Sequence, residues 1–153
     1  MQRVSLLVFT VLVSSLLGCQ KPAPSSGESA GSGRKIAVIS ITSDAQADPQ
    51  KVNMALTFAR FCVDEKYEVA VFFNVKGVLL PTKTFADDFK YQEYDPLKSQ
   101  IAALSKDGAE IHVCPVCMKD LDVAKEDIME GAFVTTKPKL FGNLGPDTMV
   151  FTY

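Results

Sequence analysis

The chain has 153 residues, which is enough for one folded domain of ordinary size and too few for two substantial ones. Its 16 Lys and Arg residues nearly balance its 18 Asp and Glu residues, and a net charge of -2 excludes the basic surface that nucleic-acid binding requires. Apolar residues make up 47% of the sequence, so the chain can bury enough surface to fold. Because His112 is the only histidine, a His-rich metal site is excluded, and the chemistry is expected to rest on cysteine.

The first 18 residues resemble the signal peptide of a bacterial lipoprotein. One positive charge at Arg3 precedes an apolar run over residues 4–17, which is shorter than the roughly 20 residues that a membrane-spanning helix needs. The run ends in Leu-Leu-Gly-Cys at residues 16–19, which resembles a lipobox. That resemblance implies cleavage before Cys19 and attachment of a diacylglycerol to its thiol. We therefore expect residues 1–18 to be removed and Cys19 to be lipidated.

Residues 19–34 predict a flexible tether behind the lipidated cysteine. They are rich in Pro, Ser and Gly and contain almost nothing that could be buried. Acyl chains on Cys19 would hold the protein at a bacterial membrane, outside the cytoplasm. Gln20 in place of an aspartate resembles the sorting pattern for the periplasmic face of an outer membrane. The alternative is an ordinary signal peptide or an uncleaved anchor with an incidental cysteine.

The folded domain is expected over residues 35–153, where strand-like and helix-like patterns alternate. Continuous β-branched and apolar runs predict strands at residues 35–41, 67–74, 110–113, 132–135 and 148–152. Helical spacing of apolar residues predicts helices at residues 49–65, 96–107 and 123–129, with Asp48 and Asp95 as N-caps of the first two. Residues 76–94 are expected to form a loop with one short helix. Strand-helix-strand order predicts right-handed crossovers, and hence a single three-layer α/β/α domain with a mainly parallel sheet of about five strands.

The candidate catalytic residues are Cys114 and Cys117, a C-x-x-C pair that directly follows the strand predicted at residues 110–113. Ligands bind at the carboxyl ends of parallel strands because loops can vary there without disturbing the core. A helical turn beginning near Pro115 would direct backbone N–H groups at the sulfurs, so we expect the pKa of a thiol at this place to fall below its ordinary value. His112 is a candidate for tuning the thiolate; its alternative is a hydrogen-bonded structural role.

Two cysteines at this spacing permit three kinds of function. One thiolate can attack sulfur while the other resolves the product; both can bind a soft metal such as copper(I), with Met118 as a further ligand; or they can form a structural disulfide. Zinc would need four ligands, and the sequence has no second pair to supply them. We assign no cofactor and no metal ligand. Cys62 lies on the apolar face of the first predicted helix and is expected to be buried.

The sequence resembles the DsrE/DsrF-like family of small α/β sulfur-relay proteins over nearly all of residues 35–153. The matching features are the opening strand with its long helix, residues 69–74 followed by Gly77, the cysteine pair after the third strand, and the tail with residues 128–131 and 147–151. Two departures are the missing Arg-Gly after Cys117 and a penultimate helix weakened by Pro138, Gly142 and Gly145.

The resemblance implies that a cysteine accepts sulfane sulfur as a persulfide and passes it to an acceptor. Cys114 is the first choice as carrier, and Cys117 is the resolver or an alternate carrier. Expected partners are sulfur donor and acceptor proteins or small persulfides, and the family implies a homo-oligomer. Phe85, Phe89, Tyr91 and Tyr94 in the middle segment are expected to cover a pocket or to form a subunit interface. The alternative function is a non-catalytic binding or assembly module whose pair is closed as a disulfide.

Overall fold

Five parallel strands form the centre of the part of the chain that the computed structural model describes, residues 34–153. The sheet order is β4-β3-β2-β1-β5, and every neighbouring pair is parallel. The strands are β1 (Ile36–Ile41), β2 (Glu68–Phe73), β3 (Glu110–Val113), β4 (Ala132–Val134) and β5 (Thr148–Thr152). The predicted α/β class with five strands is therefore confirmed, and the sheet is parallel throughout.

Two long helices cover one face of the sheet. They are α1 (Pro49–Asp64) and α2 (Leu97–Lys106), and both pack on the main core, to which β1 contributes Ile39, β2 contributes Val71 and β3 contributes Ile111. These three strand residues are fully buried. Because successive side chains of a strand alternate between faces, the residues between them point to the other side of the sheet.

The short helix α4 (Lys137–Phe141) lies on that opposite face. Lys139 stands over the ring of Phe133 with 3.9 Å between Nζ and the ring centroid. Asn143, just after α4, donates through Nδ2 to Oε2 of Glu110 over 2.9 Å. Helices on both faces give the domain its three layers. Within residues 34–153, no helix is both long enough and apolar enough to cross a membrane.

The helix caps agree with the sequence prediction for α1 and correct it for α2. Asp48 caps α1, accepting a hydrogen bond from the backbone N–H of Lys51 over 3.2 Å. The N-cap of α2 is Pro96 and not Asp95, because the helix begins one residue later than predicted. The backbone carbonyl of Asp95 instead accepts a hydrogen bond from the side chain of Gln100 over 2.7 Å.

The helix predicted over residues 123–129 is wrong. The chain forms the helix α3 (Pro115–Asp120) earlier, and only a 3₁₀ turn at Lys125–Asp127 follows. The apolar residues of this segment make separate contacts: Ile128 packs into a small second core and forms an isolated antiparallel bridge with Thr82. The apolar residues of 123–129 therefore have helical spacing in the sequence, but they do not form one face of a helix.

A close contact between two strand ends positions the segment after β2. The backbone N–H of Asn74 donates to the carbonyl oxygen of Ile41 over 3.0 Å, and a 3₁₀ turn, Val75–Leu79, follows. Gly77 in this turn lies so close to β1 that a Cβ atom built on it would stand 2.1 Å from the same oxygen. Only glycine fits at this position without moving the backbone.

We predict that Gly77→Ala lowers the free energy of unfolding by about 2 kcal/mol or more, because the added methyl group would force β1 and the turn apart. Gly145→Ala is the matched control, since its Cβ would have no neighbour closer than Oγ1 of Thr148 at 3.9 Å. Urea denaturation of both variants measures the difference. Equal stabilities would show that the turn can move away at no cost.

Candidate thiol site

Cys114 and Cys117 lie where β3 ends at the carboxyl edge of the sheet. The backbone N–H of Cys114 donates to the carbonyl of Phe73 over 2.9 Å, so the pairing of β3 with β2 continues as far as this cysteine. Cys114 is the N-cap of α3, which begins at Pro115, so the helical turn considered there in the sequence analysis is present. Both cysteines are partly exposed free thiols. Their position at the strand ends makes them accessible for chemistry.

The pair lies between an apolar core and solvent. Beneath it, Val78, Val113, Met118 and Ile128 form the small second core, against which both cysteines pack. On the solvent side, two apolar side chains next to the pair stay largely exposed, Val75 at 55% and Val116 at 65%. Exposed apolar side chains beside a reactive group are typical of a surface that meets a partner.

Val75 contacts the pair through its backbone. Its N–H donates to Sγ of Cys117 over 3.1 Å. The residue has a φ of 48°, a left-handed conformation that a β-branched side chain rarely adopts and that costs about 1–3 kcal/mol. Such strain persists only where the surrounding structure enforces it, and here the neighbouring hydrogen bond of Asn74 and the tight fit of Gly77 do so. Sequence analysis missed Val75, because nothing in its residue type reveals the strain.

The two thiols are not equivalent. Burial raises the pKa of Cys117, and a hydrogen bond and a negative charge at Cys114 raise it further, while the N–H of Val75 acts in the opposite direction. The lower thiol pKa expected from the sequence is therefore wrong for Cys117. A raised pKa favours the protonated form of Cys117, which can donate its proton to the Cys114 sulfur in a hydrogen bond.

His112 is fully buried two residues before the pair. Its Nδ1 lies 2.9 Å from Oγ1 of Thr135, and its Nε2 lies 2.9 Å from Oε2 of Glu110. Burial lowers the pKa of His112, although Glu110 opposes this effect. One ring nitrogen thus links β3 to Thr135, which directly follows β4, and the other contacts Glu110 within β3 itself. Sequence analysis did not single out Glu110.

A groove of about 500 Å³ lies next to the end of α3, and neither cysteine of the pair lines it. Its lining includes Asp44, Thr82, Phe85, Leu121, Asp122 and Val123. Phe85 therefore lines a pocket, one of the two roles expected for the aromatic residues of the middle segment, and Asp44 lines it too. Phe85 packs edge-to-face on Phe89, with 5.3 Å between the ring centroids.

The third described cysteine lies away from the site. Cys62 is buried in the main core, as predicted, and burial raises the pKa of its thiol. A buried thiol with a raised pKa is unreactive at neutral pH. In residues 34–153, no three or more His, Cys, Asp or Glu side chains group together in a way that could hold a metal ion. Cys19 and its predicted lipid lie outside the described residues.

Comparison with known proteins identifies a family and two solved structures of similar fold. Residues 35–143 match the model of the DsrE/DsrF-like family. The YchN protein of E. coli has a similar structure, with a TM-score of 0.58 and 14% identity over 79% of this chain and 100% of its own. MTH1491, a protein of unknown function from Methanobacterium thermoautotrophicum, matches with a TM-score of 0.57 and 13% identity over 76% of this chain and 97% of its own. At these identities the likeness shows a shared fold. No curated protein matches the sequence significantly.

We predict that the charge at position 114 controls the ionisation of Cys117. In Cys114→Ser the negative charge is lost, so the pKa of Cys117 falls; in Cys114→Asp the charge is retained, so the pKa stays higher. The pH dependence of iodoacetamide labelling, followed by mass spectrometry of the peptide that carries Cys117, measures both. The midpoint should lie at higher pH in Cys114→Asp. Identical midpoints would contradict a direct electrostatic contact between the two positions.

Proposed function

Because the chain belongs to the DsrE/DsrF-like family, whose members generally act in sulfur relay, we propose that Cys114 carries sulfane sulfur as a persulfide. The observation that carries this proposal is the asymmetry of the pair. Cys114 lies partly exposed at the end of β3, and the pKa of its neighbour Cys117 is raised. A thiolate at Cys114 therefore has the Cys117 thiol beside it as a hydrogen-bond donor, and it is accessible from solvent.

Loading exchanges one S–S bond for another. The thiolate of Cys114 attacks the outer sulfur of a donor persulfide, R–S–SH, and the S–S bond of the donor breaks. The donor leaves as the thiolate R–S⁻, and Cys114 becomes Cys–S–SH, with the proton staying on the transferred sulfur. No electrons enter or leave the system, so the step needs neither an oxidant nor a metal.

Release repeats the exchange with an acceptor thiolate. The acceptor attacks the outer sulfur of the Cys114 persulfide, takes it as its own persulfide, and restores the Cys114 thiolate. Cys117 offers a second route: its thiolate can attack the inner sulfur, forming the Cys114–Cys117 disulfide and releasing HS⁻. An external dithiol must then reduce this disulfide before the next cycle. The raised pKa of Cys117 makes the second route slower at neutral pH.

The donor and acceptor are proposed to be proteins or small persulfides that approach from the carboxyl edge of the sheet. Exposed Val75 and Val116 give that edge an apolar surface beside the thiols. A surface of this kind suits a protein segment that presents its own cysteine. The domain is also proposed to act as a homo-oligomer.

We predict that incubating the reduced protein with polysulfide adds the mass of one sulfur atom, and that Cys114→Ser abolishes the addition. Cys117→Ser should retain it and lose it more slowly, because the internal route to HS⁻ is removed. Cys62→Ala is the matched control, since that thiol is buried away from the site and the adduct should form normally. Intact-mass spectrometry before and after reduction follows all four proteins.

Two results would contradict the carrier proposal. If the unsubstituted protein resists reduction of its pair and never gains mass, the pair is a structural disulfide in a binding module. If the protein retains one equivalent of copper that either cysteine variant loses, the pair binds metal.

We further propose that a lipid on Cys19 holds the domain at the outer face of a bacterial membrane, in the periplasm where a second membrane is present. The support is the Leu-Leu-Gly-Cys pattern at residues 16–19, followed by a tether rich in Pro, Ser and Gly. Cys19→Ala should therefore leave the protein unlipidated and free of membranes on fractionation. Continued membrane association of this variant, with Cys62→Ala as a control that stays bound, would overturn the anchor.

A further inference from the structure

The strand β5 is an unprotected edge of the sheet. Among the strands of residues 34–153 it pairs only with β1, and its five residues, Thr-Met-Val-Phe-Thr, include no charge and no proline. Charges, proline, bulges or very short strands normally prevent the edges of sheets from pairing with another chain. The other edge, β4, has such protection, since it is only three residues long. β5 has none of these devices in its five residues, so its outer side is open to pairing with another strand.

Exposed apolar side chains cluster along this edge. Val150 is 59% exposed, and Met149 is exposed on the other face of the same strand. On the same face as Met149, α1 packs on β5 through Phe58, whose ring lies 4.6 Å from that of Phe151 between the centroids. Met54 and Phe61 lie on the same side of α1 as Phe58 by their helical spacing. Met54 and Phe61 are both exposed. This apolar belt, Met54, Phe61, Met149 and Val150, is separate from the exposed valines at the thiol site.

The backbone of β5 shows which groups are free for pairing. The N–H of Tyr153 donates to Ser40 over 2.9 Å and its carbonyl accepts from Thr42 over 2.8 Å, so both groups face β1. Because the direction alternates along a strand, the N–H and C=O groups of Thr152 and Val150 face the open side. The carbonyl of Thr148 faces the same side, while its N–H is bonded to Gly145 over 3.1 Å.

The sequence of β5 is complementary to itself in the antiparallel direction. With Val150 at the centre, Val150 lies opposite Val150, Thr148 opposite Thr152, and Met149 opposite Phe151. In this register the outward groups of the two Val150 residues bond to each other, and each Thr152 N–H reaches a Thr148 carbonyl. The Met149–Phe151 pairs lie on the face covered by α1, where cross-strand apolar pairs stabilise a sheet. No charged side chain opposes another.

We propose that two copies of this chain pair through β5, antiparallel and centred on Val150, to form one continuous sheet across a two-fold axis. A two-fold interface requires a surface that is complementary to itself, and β5 meets this requirement both in its side chains and in its free backbone groups. The Met54, Phe61, Met149 and Val150 belt is then covered by the same belt of the second copy. The interface leaves the thiol pair at the carboxyl edge of each sheet.

The register is tested by disulfide trapping in membranes that contain the full-length chain. In a Cys114→Ser, Cys117→Ser background, Val150→Cys should give a cross-linked dimer on mild oxidation, because two copies of residue 150 face each other at a Cα separation near 5.5 Å. Thr152→Cys is the matched control: it is also exposed on the same strand but lies opposite residue 148, so it should remain monomeric.

Cross-linking of Val150→Cys alone supports the proposal, and so does a Thr148→Cys, Thr152→Cys double variant that cross-links where neither single one does. Equal cross-linking of Val150→Cys and Thr152→Cys, or none of either, overturns it. A Val150→Cys protein that stays monomeric and cannot be labelled would show that another segment of the same chain covers the edge, which also overturns it.

Val150→Lys provides a second measurement. Two like charges would face each other at the centre of the interface, so the particle mass in light scattering should fall by half, while the circular dichroism spectrum stays unchanged because Val150 is exposed in one copy. An unsubstituted chain with the mass of a monomer overturns the proposal. Because trapping works without Cys114 and Cys117, its result is independent of sulfur transfer.

Discussion

The thiol site depends on the contact between the end of β1 and the turn after β2. The carbonyl oxygen of Ile41 accepts the N–H of Asn74, and the missing side chain of Gly77 lets the turn approach the same oxygen. This leaves Val75 in a left-handed conformation with its N–H on the sulfur of Cys117. The strain of one residue is thus offset by a contact that involves none of the reactive atoms. The stable contact between the end of β1 and the turn thus maintains the strained backbone of Val75 beside the thiols, as is common at functional sites.

The asymmetry of the two sulfurs follows from this arrangement. Val75 holds Cys117 against the apolar second core, where burial and the neighbouring Cys114 raise its pKa. Cys114 lies one helical turn earlier, where β3 has just ended. The two cysteine side chains therefore take different roles, because Cys117 is held against the second core and Cys114 lies at the carboxyl end of β3.

The elements that rest on local patterns could be predicted from the sequence. The β-branched run of β1 and the cap of α1 at Asp48 depend on residues close in the chain, and both are found. The helix expected at residues 123–129 is absent because its apolar residues meet partners far away in the sequence. Val75 could not be predicted for the same reason, since its conformation is imposed by β1 and not by its neighbours.

The strand order also has a consequence for how the chain is made. Of the five described strands β1 is synthesised first, yet it lies between β2 and β5 in the sheet. Ile36 therefore lacks its pairing partner in β5, Thr148, until the last strand has been made. Until then, a strand that is apolar except for Ser40 has one open side. A nascent or truncated chain lacking residues 148–152 presents that side to whatever it meets, so the step that completes β5 also ends the period in which the molecule is most prone to aggregate.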